Sequence, residues 1–218
     1  MKAPSPRKSG ASKRDQPDLP AEFAPPASLE SGEVLRLQEQ RIEDVAANLE
    51  VQTFQIEGSV LKRVQLAGSR FGSAVWKDVR FVGCDLANVR AHRLVLLRVE
   101  FVDCRLTGFS SAAVEWQDVL LQDCDLRYAQ FQEAKCRNCE FEGCHWEDAD
   151  LQQADLSGVL FRRCQLARAD LRAAHLQNTD FRSSEIEGLQ VGTGDLRGAI
   201  VDPAQAMILA HLLGLQIR

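Results

Sequence analysis

Four residues in the middle of the chain have the types and spacing of a zinc site. Cys136, Cys139, Cys144 and His145 read C-x2-C-x4-C-H, and thiolate and imidazole groups are the usual protein ligands of zinc. The surrounding pattern favours another role, because all three cysteines fall on positions that hold apolar residues throughout this stretch. Free cysteine packs as a small hydrophobic residue. We therefore expect three buried thiols, an outward-facing histidine and no metal site.

No other group of residues has the composition of a catalytic centre. His92, His145, His175 and His211 are scattered along the chain, and no serine or cysteine accompanies them at a spacing typical of nucleophilic catalysis. The glycines of residues 192–194 resemble a phosphate loop but lack the lysine that follows in such loops. We expect neither an enzyme nor a bound cofactor.

The pattern that contains these residues has a period of five. From Ile56 to Val201 a position that nearly always holds a large apolar residue returns at every fifth residue, thirty times without insertion or deletion. A smaller apolar residue stands two positions before each of these, and polar residues fill the remainder. Because a helix has a period of 3.6 and a strand a period of 2, this pattern indicates a repeat architecture with five-residue units.

The unit Ala-Asp-Leu-x-x occurs at residues 149–153, 154–158 and 169–173. These units resemble those of the pentapeptide repeat family. The resemblance covers residues 56–201. It implies an all-β fold, a right-handed quadrilateral β-helix with four pentapeptides per coil, in which the large and the small apolar residue both point inward.

A second period, of twenty residues, independently supports a four-sided coil. Cysteines and phenylalanines recur at this interval, at Cys84, Cys104, Cys124, Cys144 and Cys164 and at Phe81, Phe101, Phe141, Phe161 and Phe181. We expect each set to form a column that stacks from one coil to the next. A solenoid of this kind has two open ends, and each must be capped to prevent edge-to-edge association.

The N-terminal region predicts a tail followed by a cap. Residues 1–28 contain six of the seven prolines together with Ser, Gly, Lys and Arg, which is typical of a disordered basic tail. Residues 29–55 form an N-terminal cap or degenerate repeats. Ile42, Val45 and Leu49 have helical spacing, whereas Leu37, Ile42 and Ala47 have pentapeptide spacing one residue out of phase.

The C-terminal region, residues 202–218, predicts a capping helix and tail. Asp202 is the expected N-cap, Pro203 occupies the first turn and Gln205 stands at the capping-box position. Met207, Ile208 and Leu212 would give this helix an apolar face, through which we expect a homodimer.

Charge and hydropathy limit the location of the protein and its partners. No apolar run is long enough for a membrane span or a signal-peptide core, so we expect a cytoplasmic protein of bacterial type that does not contact a membrane. The formal net charge is −5, and basic residues in the tail of an acidic chain usually serve solubility. We expect no direct binding to nucleic acid.

Several outward positions hold apolar residues where the repeat normally shows polar ones. We expect an interface there, because exposed apolar patches usually mark contact surfaces. Either residues 29–50 cover this patch or an external partner does. The residues are Val75, Val95 and Leu97 on one side of the coil and Val82, Val102 and Leu120 on the adjoining side.

The predicted function is that of a non-enzymatic protein-interaction scaffold with an unknown partner. Some members of the family mimic DNA in width and charge and bind type II topoisomerases such as gyrase, which they protect from quinolones or inhibit; the resemblance implies this as the alternative. Mimicry needs a continuous acidic face. Here residues 56–98 carry a charge of +5 and residues 99–150 a charge of −8, so the acidity is confined to a belt.

Overall fold

The computed structural model describes residues 14–212, 214 and 215. Its sheet is a parallel β-solenoid of about seven turns, followed by one short helix. The elements are β1 (Gly32–Gln38), β2 (Arg41–Glu43), β3 (Glu50–Lys62), β4 (Arg70–Val82), β5 (Arg90–Val102), β6 (Ser110–Gln117), β7 (Leu120–Gln122), β8 (Lys135–Arg137), β9 (Glu140–Glu142), β10 (Leu160–Arg162) and α1 (Pro203–Leu212).

Each coil has four sides, which we number by their inward columns. The register between neighbouring coils is twenty residues, so that Phe81 lies beside Phe101 and Val75 beside Val95. The columns begin with Ile56, Trp76, Leu96 and Trp116 on side 1, Leu61, Phe81, Phe101 and Leu121 on side 2, Leu66, Leu86, Leu106 and Leu126 on side 3, and Phe71, Ala91, Ser111 and Phe131 on side 4.

The core consists of these columns, as the period of five predicts. Phe161 and Phe181 stack with ring centroids 5.2 Å apart and an interplanar angle of 14°, and Phe81 and Phe101 stack at 4.8 Å and 7°. Offset stacking of this kind adds to the free energy gained by burying the rings. Six of the cysteines fill the narrower inward sites, Cys136 follows Trp116 in the side-1 column, and all seven are buried.

The coil turns its corners through residues in the left-handed backbone region. Asp78, Arg98 and Asp118 have φ of 56°, 51° and 56°, and the same conformation recurs at most other corners. Gly143, at φ 63°, stands at one of them, where an added Cβ would lie 2.3 Å from Asp123 Oδ1. A side chain at this position would require the Asp123 carboxylate to move, and glycine avoids that shift.

The corner between sides 4 and 1 lacks this conformation in the early coils. Ser73, Arg93 and Ala113 do not have a positive φ, whereas Glu133, one coil further on, has φ 57°. The strands β4 and β5 therefore run through the corner and reach thirteen residues each. The cross-section of the solenoid consequently changes between the coils of Ala113 and Glu133.

Residues 29–50 form a degenerate coil, not a helix. Leu37 pairs with Ile56 and Ile42 pairs with Leu61, so this first coil has a register of nineteen residues. The out-of-phase pentapeptide interpretation therefore applies. The segment stacks on the end of the solenoid and does not lie over its sides, since β1 and β2 both pair with β3.

A docked segment replaces the predicted disordered tail over residues 14–28. The strap, residues 14–27, runs along the edge between sides 1 and 2 towards the N-terminal end of the solenoid. The amide of Asp18 donates to Asp78 Oδ1 at 2.9 Å, and the amide of Ala24 donates to the carbonyl oxygen of Glu39 at 2.7 Å. Composition alone predicted disorder because the strap lacks any apolar period; polar contacts hold it instead. Residues 1–13 lie outside the described part of the chain.

Helix α1 closes the C-terminal end. The amide of Gln205 donates to Asp202 Oδ1 and the amide of Asp202 donates to Gln205 Oε1, both at 3.0 Å, which is a capping box. Gln205 Nε2 also donates to the carbonyl oxygens of Phe181 and Ser184, at 2.6 and 2.7 Å. The first of these bonds adds to the one that the Phe181 carbonyl oxygen accepts from the Ser184 amide, and the second supplies a donor to the Ser184 carbonyl oxygen.

Among the described residues, helix α1 is too short to cross a membrane.

Candidate interaction surface

Side 1 contains a groove whose rim is apolar at one end. Val75 and Val95 are partners in the sheet, and Leu97 stands two residues after Val95 on the same outward face. All three side chains are half-buried. The groove has a volume of about 320 Å³ and is lined by Val95, Leu96, Leu97, Glu115, Trp116, Gln117, Lys135 and Arg137.

The other end of the side-1 groove is basic. Lys135 follows Glu115 in the outward column of Val75 and Val95, and Arg137 follows Gln117 in the column of Leu97. Within the described part of the chain neither Lys135 nor Arg137 forms an ion pair, while Glu115 lies 3.5 Å from Arg93. The groove thus passes from valine and leucine to two available cations over three coils.

The apolar residues of side 2 do not continue this patch. Val82 and Val102 are sheet partners and half-buried, but Leu120 belongs to the other outward column, beside Glu100. The edge between sides 1 and 2 separates the two sets, and it carries Asp78. The sequence predicted that either residues 29–50 or an external partner would cover the patch. Residues 29–50 do not cover it. The strap lies on the edge between the two sets.

Buried charges fasten the strap to the edge. Arg14 Nη2 lies 2.8 Å from Glu100 Oε1, and the two side chains are only 8% and 6% exposed. Glu100 also binds Arg80, at 2.7 Å. The amide of Asp15 donates to Asp118 Oδ1 at 3.3 Å. Sequence analysis missed these anchors. A signal for a polar contact at this edge was present, because Asp78, Arg98 and Asp118 recur at twenty-residue spacing on one corner.

Asp78 is the best-satisfied carboxylate of this edge. Arg98 holds it with two hydrogen bonds, of 2.6 and 2.7 Å, and the Asp18 amide supplies a third. Burial alone would raise the pKa of Asp78, but these hydrogen bonds favour the charged form more strongly and the pKa is lowered.

Arginines pair with several of the other outward carboxylates. Arg105 binds Asp85 and Arg168 binds Asp148 across neighbouring coils, each at 2.7 Å. Within one pentapeptide, Arg127 binds Asp125, and its hydrogen bonds lower the pKa of Asp125 to about 2 against the effect of partial burial. These arginines interrupt the acidic belt of residues 99–150.

The cysteines and histidines occupy the positions that the period of five assigns to them. Cys136, Cys139 and Cys144 are buried, whereas the His145 ring is half-buried on the outside, with Nδ1 3.4 Å from Glu147. The Sγ–H of Cys144 donates to the Leu121 carbonyl oxygen at 3.3 Å. Hydrogen bonding to Cys124 and burial together raise the pKa of Cys104 to about 12. Such thiols are poor nucleophiles.

We expect the native protein to resist thiol reagents. A chromogenic disulfide reagent should release no colour from folded protein within minutes and should react with all seven cysteines after denaturation, because every thiol is buried. Cys164 tests this expectation most strictly, because the hydrogen bond with Cys144 lowers its pKa and thereby favours the reactive thiolate. Rapid reaction of even one equivalent in the folded protein would contradict this expectation.

The terminal helix presents part of its predicted apolar face. Met207 is 52% exposed and Ile208 is half-buried, while Leu209 and Gln205 form the side that packs on the last coil. The side chain of Leu212 lies outside the described part of the chain. Met207 therefore remains available for the expected homodimer contact, and Ile208 is available only in part because it also packs against the core.

Comparison with known proteins agrees with this architecture. A model of the pentapeptide repeat region matches residues 74–151 and again residues 114–191. A trypsin-treated variant of QnrB1, a plasmid-mediated fluoroquinolone resistance protein, is 20% identical over 87% of this chain and 99% of its own, with a TM-score of 0.50. HetL, a pentapeptide repeat protein involved in heterocyst differentiation regulation from the cyanobacterium Nostoc sp. strain PCC 7120, is 18% identical over 76% of this chain and 84% of its own, with a TM-score of 0.35.

A comparison with curated proteins gave no match. At these identities the likeness to solved structures concerns the fold. The family matches together span more than half of the chain, from residue 74 to residue 191, and they coincide with the coils described above. The chain therefore belongs to the pentapeptide repeat family.

Proposed function

We propose that the protein is a non-catalytic interaction scaffold that binds a protein partner through the side-1 groove. The observation that carries this proposal is the placement of Val95 and Leu97 beside Lys135 and Arg137 in one groove. Apolar residues supply most of the free energy of association, and cations at one end select the orientation of the partner. The matching partner segment has apolar side chains followed by acidic ones.

The experiment compares two double variants on the same side of the solenoid. Val95→Glu with Leu97→Glu places two charges in the groove. His175→Glu with Gln177→Glu introduces the same charges in the same two outward columns, four coils further on. Proteins cross-linked to each variant in a lysate of the source cells are quantified by mass spectrometry, and melting temperatures verify folding.

We expect the Val95 and Leu97 variant to lose at least about tenfold of the partner captured by the wild type, because buried unpaired charges weaken an interface by several kcal/mol. The His175 and Gln177 variant should retain that partner. Equal capture by both folded variants would overturn the assignment of side 1. Light scattering of the purified wild type and variants measures their molecular mass. A homodimer through Met207 and Ile208 would have twice the mass of the monomer.

Type II topoisomerase is the alternative partner, and the similarity in fold to QnrB1 motivates it. The described surface does not favour DNA mimicry, because arginines neutralise Asp85, Asp125 and Asp148. A gyrase supercoiling assay with added protein, with and without a quinolone, distinguishes the alternatives. A dose-dependent effect that survives Val95→Glu with Leu97→Glu would support topoisomerase binding at another face.

A further inference from the structure

Side 4 contains a second cavity, outside the side-1 groove. Its volume is about 490 Å³, within the usual range for sites that hold a small molecule. The lining consists of Arg70, Phe71, Arg90, Ala91, His92, Ser110, Ser111, Ala112, Gln130 and Gln132. One outward column supplies two arginines, a serine and a glutamine, and the other supplies the histidine.

The shape of the cavity follows from small residues on side 4. Ala91 and Ser111 occupy inward positions that Phe71 and Phe131 fill in the coils before and after them. Outside, Gly72 and Ala112 flank His92, so its ring has no tall neighbour in its own column. This region also precedes the coil at which the corner between sides 4 and 1 regains its left-handed residue.

Arg70 and Arg90 bring like charges together at the rim. They are direct sheet partners, so their backbones lie about 4.8 Å apart. Like charges directly opposite each other destabilise a sheet. Elsewhere an arginine on a neighbouring coil usually faces a carboxylate, as Arg98 faces Asp78. In the described part of the chain neither Arg70 nor Arg90 has an ion pair, although Glu50 is the sheet partner of Arg70.

The cavity has donors and no carboxylate of its own. Arg70, Arg90, Ser110 and Gln130 form one column of N–H and O–H groups, and His92 lines the same cavity from the other outward column. Gln132 is not available in the same way, because its Nε2 donates to Asp150 at 2.6 Å. Two guanidinium groups at adjacent coils can each donate two parallel hydrogen bonds to an oxyanion, which is the arrangement that best fits phosphate.

We propose that the side-4 cavity binds a small phosphate monoester. Arg70 and Arg90 clamp the phosphate group, Ser110 and His92 donate to its remaining oxygens, and the organic part lies towards Ala112 and Gln130. The bound dianion removes the repulsion between the arginines, which explains why the chain holds two like charges in register. This site goes beyond the scaffold function and does not depend on it.

Isothermal titration with three probes tests the site: inorganic phosphate, adenosine monophosphate and glucose 6-phosphate. Titrations extend to about 10 mM, where a site with a millimolar Kd is largely occupied. The test variant is Arg70→Gln with Arg90→Gln. The matched control is Arg162→Gln with Arg182→Gln, which removes two charges from adjacent coils where Asp180 already neutralises Arg182.

We expect wild type and control to bind at least one probe with affinities within twofold of each other, and the test variant to bind it at least tenfold more weakly. In phosphate-free buffer the test variant should melt no lower than wild type, because it has lost a repulsion. Tighter binding of an ester identifies an organic ligand, and equal affinities identify free phosphate as the source.

Two results would overturn the proposal. One is the absence of binding by every probe to the wild type. The other is binding that Arg70→Gln with Arg90→Gln weakens no more than the control pair does, since that would reflect general attraction between an anion and surface charges.

Discussion

Replacing Phe161 by alanine is expected to lower the free energy of unfolding by about 3 to 5 kcal/mol. The Phe161 side chain is fully buried, stacked on Phe181 and in contact with Phe141 at a centroid distance of 5.1 Å. The cavity left by the ring cannot collapse easily, because hydrogen bonds between coils fix the spacing of the walls around it. Urea unfolding followed by circular dichroism measures the loss.

The matched control for this change is Gln152→Ala. Gln152 stands on an outward position of side 4, and its substitution should change stability by no more than about 0.5 kcal/mol. If both variants unfolded at the same urea concentration, the inward assignment of the phenylalanine column would be wrong.

Replacing Asp78 by alanine is expected to lower the free energy of unfolding by about 2 to 4 kcal/mol. The substitution leaves Arg98 beside the edge without its carboxylate and removes the acceptor of the Asp18 amide. The strap should loosen together with the ion pair. Hydrogen exchange of the Asp18 amide should therefore accelerate more than exchange in the core strands.

Asp148→Ala is the control, because Asp148 has the same geometry as Asp78 but its ion pair is not buried. Asp148 also occupies a left-handed corner, at φ 58°, and also receives two hydrogen bonds from an arginine one coil away. Its arginine is 60% exposed, so solvent screens the pair and the loss should be much smaller. Equal losses in the two variants would contradict a special role for the strap edge.

The effect of Asp78→Ala should depend on pH in a defined direction. The pKa of Asp78 is lowered in the folded protein, so its contribution is complete above the unfolded carboxyl value of about 3.9 and disappears as the pH falls through the folded value. The difference in stability between wild type and variant should therefore be constant near neutral pH and shrink below about pH 4.

Sequence alone was sufficient for the elements whose cause repeats locally. Each pentapeptide contributes a large and a small inward residue, so the period of five determined the core and the burial of the cysteines, and the period of twenty predicted the four sides. The capping box of α1 also involves neighbours in the chain, Asp202 and Gln205. Patterns of this range need no knowledge of distant contacts.

Tertiary structure decided the features that join unrelated parts of the chain. The strap binds through Arg14 to Glu100, 86 residues away, and no period in residues 14–27 announces that contact. The nineteen-residue step of the first coil became evident only from the pairing of Leu37 with Ile56. Sequence spacing could align Arg70 with Arg90, but the cavity beside them became evident only from the structure. A local repeat fixes which side chains point inward, whereas the shape and charge of the outer surface depend on contacts between coils and on segments that lie outside the repeat.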